Sequence, residues 1–318
     1  MIATKKQKRV KAHHHSLTLM GSHFVLTAVS DQPESAWHAL RAGEQEIARI
    51  ENLISSWKPN SQTSRINEMS GKLPVRVDVE LLELIERSIS VSKLTAGAFD
   101  ISGTIARYFW NFNNGVSSFL PEDQIERLKY LMDFRSIEVN RDTNEVFLKK
   151  EGMRIGFGGI GKGYAAFRAS EVMKSMGIQS GLVNASGDLV SWGQPPQAKQ
   201  WIIKIPNPQD YNSCILELSF PSGSVVTSGN QFNYTIIDGQ KYSHIVDPRT
   251  GLPVRGVNGV TVICPNPEFG DAFATALSVL GVEEGIYLTN QLQGVESIII
   301  DSEGTLHCSE NLKDHLSI

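Results

Sequence analysis

Three groups of residues have types and spacings that suit phosphoryl chemistry. The first is a glycine-rich run around one lysine: Gly156, Gly158, Gly159, Gly161, Lys162 and Gly163. Glycines let a backbone approach a ligand closely and turn its N–H groups toward it. A helical pattern follows, so a helix N-terminus adds unpaired donors and partial positive charge, and Lys162 adds a full one. Such a loop is chemically suited to a diphosphate. The second group is Ser243-His244-Ile245-Val246-Asp247-Pro248-Arg249-Thr250-Gly251. Histidine titrates near neutrality, which makes His244 a candidate general base. The third is Asp271 with Thr275, four residues apart and so on one helix face. A carboxylate and a hydroxyl, completed by water and phosphate oxygens, suit Mg²⁺.

Each group also has a purely structural reading. The glycines would let a helix and a sheet pack closely. Asp247 would cap its turn while Arg249 pairs with a carboxylate. Asp271 would be an N-cap or first-turn acid. The loop is not a Walker P-loop, since no Ser or Thr follows Lys162, and it breaks the GxGxxG dinucleotide pattern. Together the three groups make a phosphoryl-transfer site, provided that they converge in space.

The elements that must position them are legible from periodicity. Apolar Ala165, Ala169, Val172, Met173 and Met176 make a helix behind the lysine loop, stopped at Gly177. The run Leu17–Val29 reads as a strand or two, with Met20-Gly21 as a bulge or close approach. Ser35–Ile54 and Asp78–Leu94 are amphipathic helices. Ser61 caps a short helix between them. The segment Ile105–Phe112 is dense in aromatics and reads as core. Glu122–Met132 is helical, and Ile137–Asn140 with Glu145–Leu148 forms a hairpin. After the short strand Gly181–Asn184 the chain turns β-rich: Trp201–Pro206, Ile215–Phe220, Ser224–Ser228, Phe232–Ile237, Lys241–Val246 and Asn258–Cys264. Gly270–Leu280 is a helix opened by Asp271. Val295–Ile300 and Thr305–Cys308 are the last strands. The pattern is α+β, with two sheet-and-helix modules sharing one core.

Composition sets limits. The 318 residues can bury a sizeable core. A net charge of −4 advertises neither nucleic acid nor an anionic membrane. The three cysteines show no CxxC spacing, so no zinc ribbon is indicated. There is no internal repeat and no apolar run long enough for a transmembrane helix. The basic N-terminus lacks the apolar stretch of a secretory signal. A complete chain would then be cytoplasmic; removal of a signal or anchor segment would leave a periplasmic or membrane-anchored protein. Residues 1–15 read as a flexible tail.

Eight short blocks in fixed order carry a resemblance. They are Met20-Gly21, Ser55–Ser61 (SSWKPNS), Gly97–Asp100 (GAFD), Gly158–Ala165 (GGIGKGYA), Asn184–Asp188 (NASGD), Thr227–Gly229 (TSG), Ser243–Gly251 (SHIVDPRTG) and Asp271–Leu277 (DAFATAL). From about Leu17 to Leu306 the chain resembles the ApbE-type FAD:protein FMN transferases, which attach FMN to a protein Ser or Thr. The resemblance implies two interlocked sheet-and-helix modules of the ApbE-like, T-fold-related type, forming one compact domain over residues 16–318. It implies that FAD, as substrate, contacts Met20, Trp57, Ala98, Phe99, Asp100, Lys162, Thr227 and Arg249. It implies Mg²⁺ on Asp271 and Thr275, with backbone carbonyls at Gly161 and Ala274. His244 is the implied base, assisted by Asp247. The partner is an acceptor flavoprotein subunit with a Ser/Thr flavinylation motif, and AMP is released.

Three departures stand out. Gly156 replaces the acid common in this family, Gly161 stands where the family often has alanine, and Trp57 replaces a common tyrosine. An indole still stacks on a ring but loses the phenol's acceptor capacity. Two other activities are compatible with these residues: FAD hydrolysis to FMN and AMP, and FAD binding without turnover.

Overall fold

The computed structural model describes residues 10–112, 115–207, 210–229 and 234–315. Eight strands form the central sheet: β1 (Lys11–Leu19), β2 (Ser22–Ser30), β3 (Gly181–Ala185), β4 (Asp188–Trp192), β5 (Gly223–Gly229), β6 (Val257–Cys264), β7 (Glu296–Asp301) and β8 (Leu306–Cys308). They lie side by side in chain order, each antiparallel to the next. The fold is α+β, as the periodicity predicts.

Three helices cover one face: α1 (Pro33–Ile54), α3 (Gly161–Ser175) and α4 (Pro267–Thr289). Helix α1 packs on β1 and β2, α3 on β3 and β4, and α4 on β5, β6 and β7. The apolar residues of each strand alternate to suit this. Ile299 of β7 faces α4, whereas Ile298 and Ile300 face the other side. There they meet Ile205 and Leu218 of the hairpin Trp201–Asn207/Asp210–Phe220.

Everything between α1 and α3 is an excursion from the sheet. It holds the short helix Gln62–Glu68, α2 (Val79–Leu94), the 3-10 helix Ile101–Tyr108 and the helix Glu122–Leu131. Ser61 caps the first of these by accepting from the Ser64 amide at 3.0 Å. The expected hairpin Ile137–Asn140/Glu145–Leu148 is present and is joined by Val75–Arg76. Leu81, Leu84 and Val146 from this excursion share one buried cluster with Phe24 and Leu26 of the sheet.

Four expectations are corrected. Lys11–His15 are not tail: they are the first half of β1, paired with β2 from Ser30 to Leu26. Residues 1–9 of the expected tail lie outside the described residues. Met20-Gly21 is neither bulge nor close approach but the two-residue turn of this hairpin, with φ of 53° and 66°. Positive φ at both positions matches the right-handed strand twist. Helix α4 starts at Pro267 with Asn266 as its N-cap, so Asp271 sits one turn further in. The strand leading to the histidine ends at Ser243, one residue before His244. The start of the expected strand Phe232–Ile237 falls outside the described residues, and the strand runs Tyr234–Ile237.

Candidate active site

Helices α3 and α4 meet near their N-termini through a glycine. A Cβ at Gly163 would lie 2.1 Å from the Pro267 carbonyl oxygen, so only glycine permits the crossing. At this crossing the Gly163 amide donates to Asp271 Oδ2 at 3.1 Å. Asp271 therefore caps the neighbouring helix rather than its own. Thr275, one turn on, donates from Oγ1 to the Asp271 carbonyl oxygen at 3.1 Å. A Cβ at Gly159 would approach Thr275 Oγ1 to 2.8 Å, so the glycine loop lies directly on this threonine.

Lys162 points between two carboxylates. Its Nζ is 2.9 Å from Asp188 Oδ2 and 3.4 Å from Asp271 Oδ1. Burial works against its charge, yet the two acids hold the ammonium above its ordinary range. Burial pushes the Asp188 carboxyl up, to about 7, despite the attraction of Lys162. Asp188 was named by the sequence only as the end of the NASGD block. Its signal was a carboxylate opening an otherwise apolar strand, Asp188-Leu189-Val190-Ser191-Trp192, in which a buried acid needs a partner. The expectation that Lys162 offers a full positive charge to a ligand is thus corrected: two acids already share that charge. The helix N-terminus is likewise partly spent, because the Gly161 amide donates to Phe157 and the Gly163 amide to Asp271.

The groups singled out in sequence do converge. A cleft of about 480 Å³ is lined by Ala98, Phe99 and Asp100, by Gly156, Gly158, Gly159 and Lys162, by Thr227, by His244 and by Asp271 and Thr275. Thr104 and Arg107 of the 3-10 helix line it too. Thr227 reaches it from β5, its hydroxyl 3.1 Å from that of Thr261. His244 also borders a second cavity of about 740 Å³, which holds Trp57, Tyr108 and Trp110. The two cavities share Gly103, Thr104, Arg107, His244 and Val246 as a common wall.

Asp100 lines the cleft but is tied to its own turn, and the other candidates have neighbours of their own. Asp100 accepts from the Ser102 amide and hydroxyl and from the Phe134 amide, each at 2.7 Å. These bonds fix the turn from α2 into the 3-10 helix. Burial nevertheless raises its pKa to about 6. Asp247 is committed to Arg249, which meets it with Nε and Nη2 at 2.9 Å each. This pair stiffens the turn after His244, and Arg249 borders a different cavity, with Lys129 and Arg135. Met20 packs beside Gly161, where a Cβ would be 3.5 Å from its methyl carbon. A Cβ at Gly161 would meet Ile54, and the Ala274 carbonyl accepts from the Ser278 hydroxyl.

Gly156 is explained by its neighbour. A Cβ there would come within 2.7 Å of Thr104 Oγ1 and 3.0 Å of its Cβ. The space that a side chain would take is filled by a threonine, so a hydroxyl stands on this wall of the cleft.

The donors present fit a hard divalent cation. Asp188 Oδ2 is buried and accepts no aligned hydrogen bond, although Lys162 Nζ lies near it. With Asp271 and Thr275 it makes an all-oxygen set. Among the described residues no group of three or more His, Cys, Asp and Glu converges. Such an ion would thus take further ligands from substrate and water.

Known proteins resemble this chain over most of its length. The profile of the ApbE family matches residues 20–299. An FAD:protein FMN transferase of Klebsiella pneumoniae (strain 342) is 29% identical over 293 residues, covering 91% of this chain and 89% of its own. One from Treponema pallidum (strain Nichols) is 26% identical and covers 98% and 90%. The crystal structure of the ApbE protein from Thermotoga maritima superimposes with a TM-score of 0.87 at 27% identity, covering 95% of this chain and 98% of that one. The flavin transferase ApbE from Vibrio cholerae has the same fold, with a TM-score of 0.84 at 23% identity over 96% and 99%.

Proposed function

This chain belongs to the ApbE family, and we propose that it is an FAD:protein FMN transferase that labels a Ser or Thr hydroxyl. One observation carries the reading: His244, the glycine loop, Asp271 and Thr275 come from separate parts of the chain and line one cleft.

In this reaction the acceptor oxygen forms a bond to the FMN phosphorus of FAD. The bond from that phosphorus to the bridging oxygen breaks, and AMP leaves with the oxygen. His244 takes the proton of the attacking hydroxyl, the task of a general base. Its place in the wall between two cavities lets nucleotide and acceptor approach it from different sides. The stiff turn held by Asp247 and Arg249 fixes the backbone on which the base stands. Gly158 and Gly159 bring the backbone close to the phosphates. Asp271 and Thr275, with Asp188, would hold Mg²⁺, which would neutralise developing phosphate charge. The protein's share of catalysis is therefore positioning, charge placement and removal of one proton.

The test is one incubation of the protein with FAD, Mg²⁺ and an acceptor carrying a flavinylation motif, with chelator and no-acceptor controls. In-gel flavin fluorescence on the acceptor, dependent on the metal and matched by AMP, is the expected result. AMP release that ignores the acceptor would replace the transferase by a hydrolase. Intact bound FAD with neither signal would leave a binding protein.

A further inference from the structure

Among the described residues the cleft is lined by two side-chain cations, Lys162 and Arg107, and they differ in kind. Lys162 is offset by Asp188 and Asp271. Arg107 has no ion pair among the described residues: its electrostatic neighbours are Tyr108 and a second cation, Arg154. Its guanidinium sits over the Trp57 indole, with Cζ 4.1 Å from the ring centroid. Arg154 sits over the Tyr108 ring, with Cζ 5.1 Å from its centroid. Two cations held near each other on aromatic faces, with no ion pair to either among the described residues, leave an unmet demand for an anion. Stacking uses the face of a guanidinium and leaves the N–H donors on its edge available.

The substrate supplies an anion and the loop does not fully answer it. A diphosphate ester carries two negative charges. On the glycine-loop side the lysine is opposed by two acids, so those three side chains offer no net positive charge. With both acids ionised, a divalent cation would reverse that sign but still leave the dianion one charge short. Arg107 borders the same cleft and, among the described residues, is the cation in its lining that no acid neutralises.

We propose that Arg107 is a phosphate-binding residue of the nucleotide site, donating hydrogen bonds from its guanidinium edge to the substrate diphosphate while Trp57 holds its plane. The proposal rests on the cleft being the FAD site. A sequence reading had no route to it, because Arg107 lies in an aromatic-rich stretch that resembles core and belongs to none of the motif blocks.

Binding titrations with FAD, ADP and riboflavin separate the possible roles. They would use wild-type protein, Arg107→Gln and Arg107→Lys, all with Mg²⁺. Arg107→Gln should weaken FAD and ADP about 10- to 100-fold, the worth of a charge-assisted contact. Riboflavin, which has no phosphate, should bind as before. Arg107→Lys should recover part of the loss and restore the salt dependence. Parallel weakening of riboflavin and FAD would overturn the proposal and make Arg107 a support for Trp57. Unchanged FAD and ADP affinity with lost acceptor labelling would also overturn it and assign the arginine to acceptor recognition. Wild-type protein that binds none of the three ligands would sink the flavin reading itself, and this proposal with it.

Discussion

The Gly163 amide of one helix donates to the Asp271 carboxylate of another, at 3.1 Å, where the two helices cross too tightly for any side chain at position 163. The acid that faces the cleft is thus aimed by the loop that is expected to hold the phosphates. Loop and acid form one mechanical unit. Replacing Asp271 should therefore affect turnover and stability together. We expect Asp271→Asn to lower metal-dependent AMP release by about 10²–10³-fold, the usual reach of one preorganised electrostatic group. The fold should lose about 1–3 kcal/mol, the cost of a poorly paired buried donor. Thermal melts and AMP assays on the same sample check both; undiminished turnover would remove Asp271 from the site.

His244→Ala should separate binding from chemistry. FAD affinity should stay within about twofold while acceptor labelling slows by about 10²–10⁴-fold, as loss of a general base implies. Single-turnover labelling and a binding titration are the measurements. The opposite pattern, weak binding with a normal rate, would make His244 a ligand contact.

Glycines 158 and 163 should fail in different ways. At Gly163 a Cβ runs into backbone that cannot yield, so Gly163→Ala should unfold the protein or cost at least about 3 kcal/mol. At Gly158 a Cβ meets nothing within 4 Å, so Gly158→Ala should melt like wild type. It should weaken nucleotide binding, because its methyl group would occupy space that the ligand needs. Equal melting temperatures for the two variants would refute the crossing argument.

Thr104 and Gly156 should be coupled. Gly156→Ala alone forces its methyl onto the threonine and should destabilise by about 1–3 kcal/mol. With Thr104→Gly added, that clash disappears, so the two effects should be clearly non-additive. Urea titrations of the four corners of the cycle give the coupling energy directly. An additive cycle would show that the contact carries no strain.

Asp100 predicts a pH effect of definite sign. Its folded pKa of about 6 lies above the ordinary aspartate value of 3.8 because the carboxyl is buried. The folded state then favours the protonated acid, and the stability from this group is complete below about pH 4 and lost as pH rises through about 6. The size is about 3 kcal/mol, at 1.36 kcal/mol per pKa unit. Relative to Asp100→Asn, wild-type protein should lose that much stability between about pH 4 and 7. Urea midpoints for both proteins across this range provide the check, and a pH-independent difference would contradict the burial argument.

Much of this molecule is legible in its sequence, for physical reasons that vary by element. Helices α1, α2 and α3 announce themselves through apolar spacing and, for α3, through Gly177, whose φ of 88° is a left-handed stop. Short β-hairpins show in their turns. The order of the sheet does not, because the pairing of Phe24 with Ala185 leaves no local trace. Helix α4 was begun too late because Pro267 looks like a loop residue until Asn266 is recognised as its cap. In the site, residue types and block order pointed to the cleft. What they could not give was the neutralisation of Lys162 by Asp188, or the place of Arg107, since both depend on which side chains meet.

The chain-order sheet has a consequence for synthesis. Strands β1 and β2 leave the ribosome as a hairpin, but β3, the next strand to pair, begins only at Gly181, after the whole excursion from Asp31 to Ser180. At about 5–20 residues per second that is a delay of roughly 8–30 s. During it the outer edge of β2 is an open ladder, a place where nascent chains pair wrongly. Helix α1 follows within three residues of β2 and packs on it, so the apolar face is covered early while the edge waits. A chaperone that binds open strand edges would find its longest opportunity here.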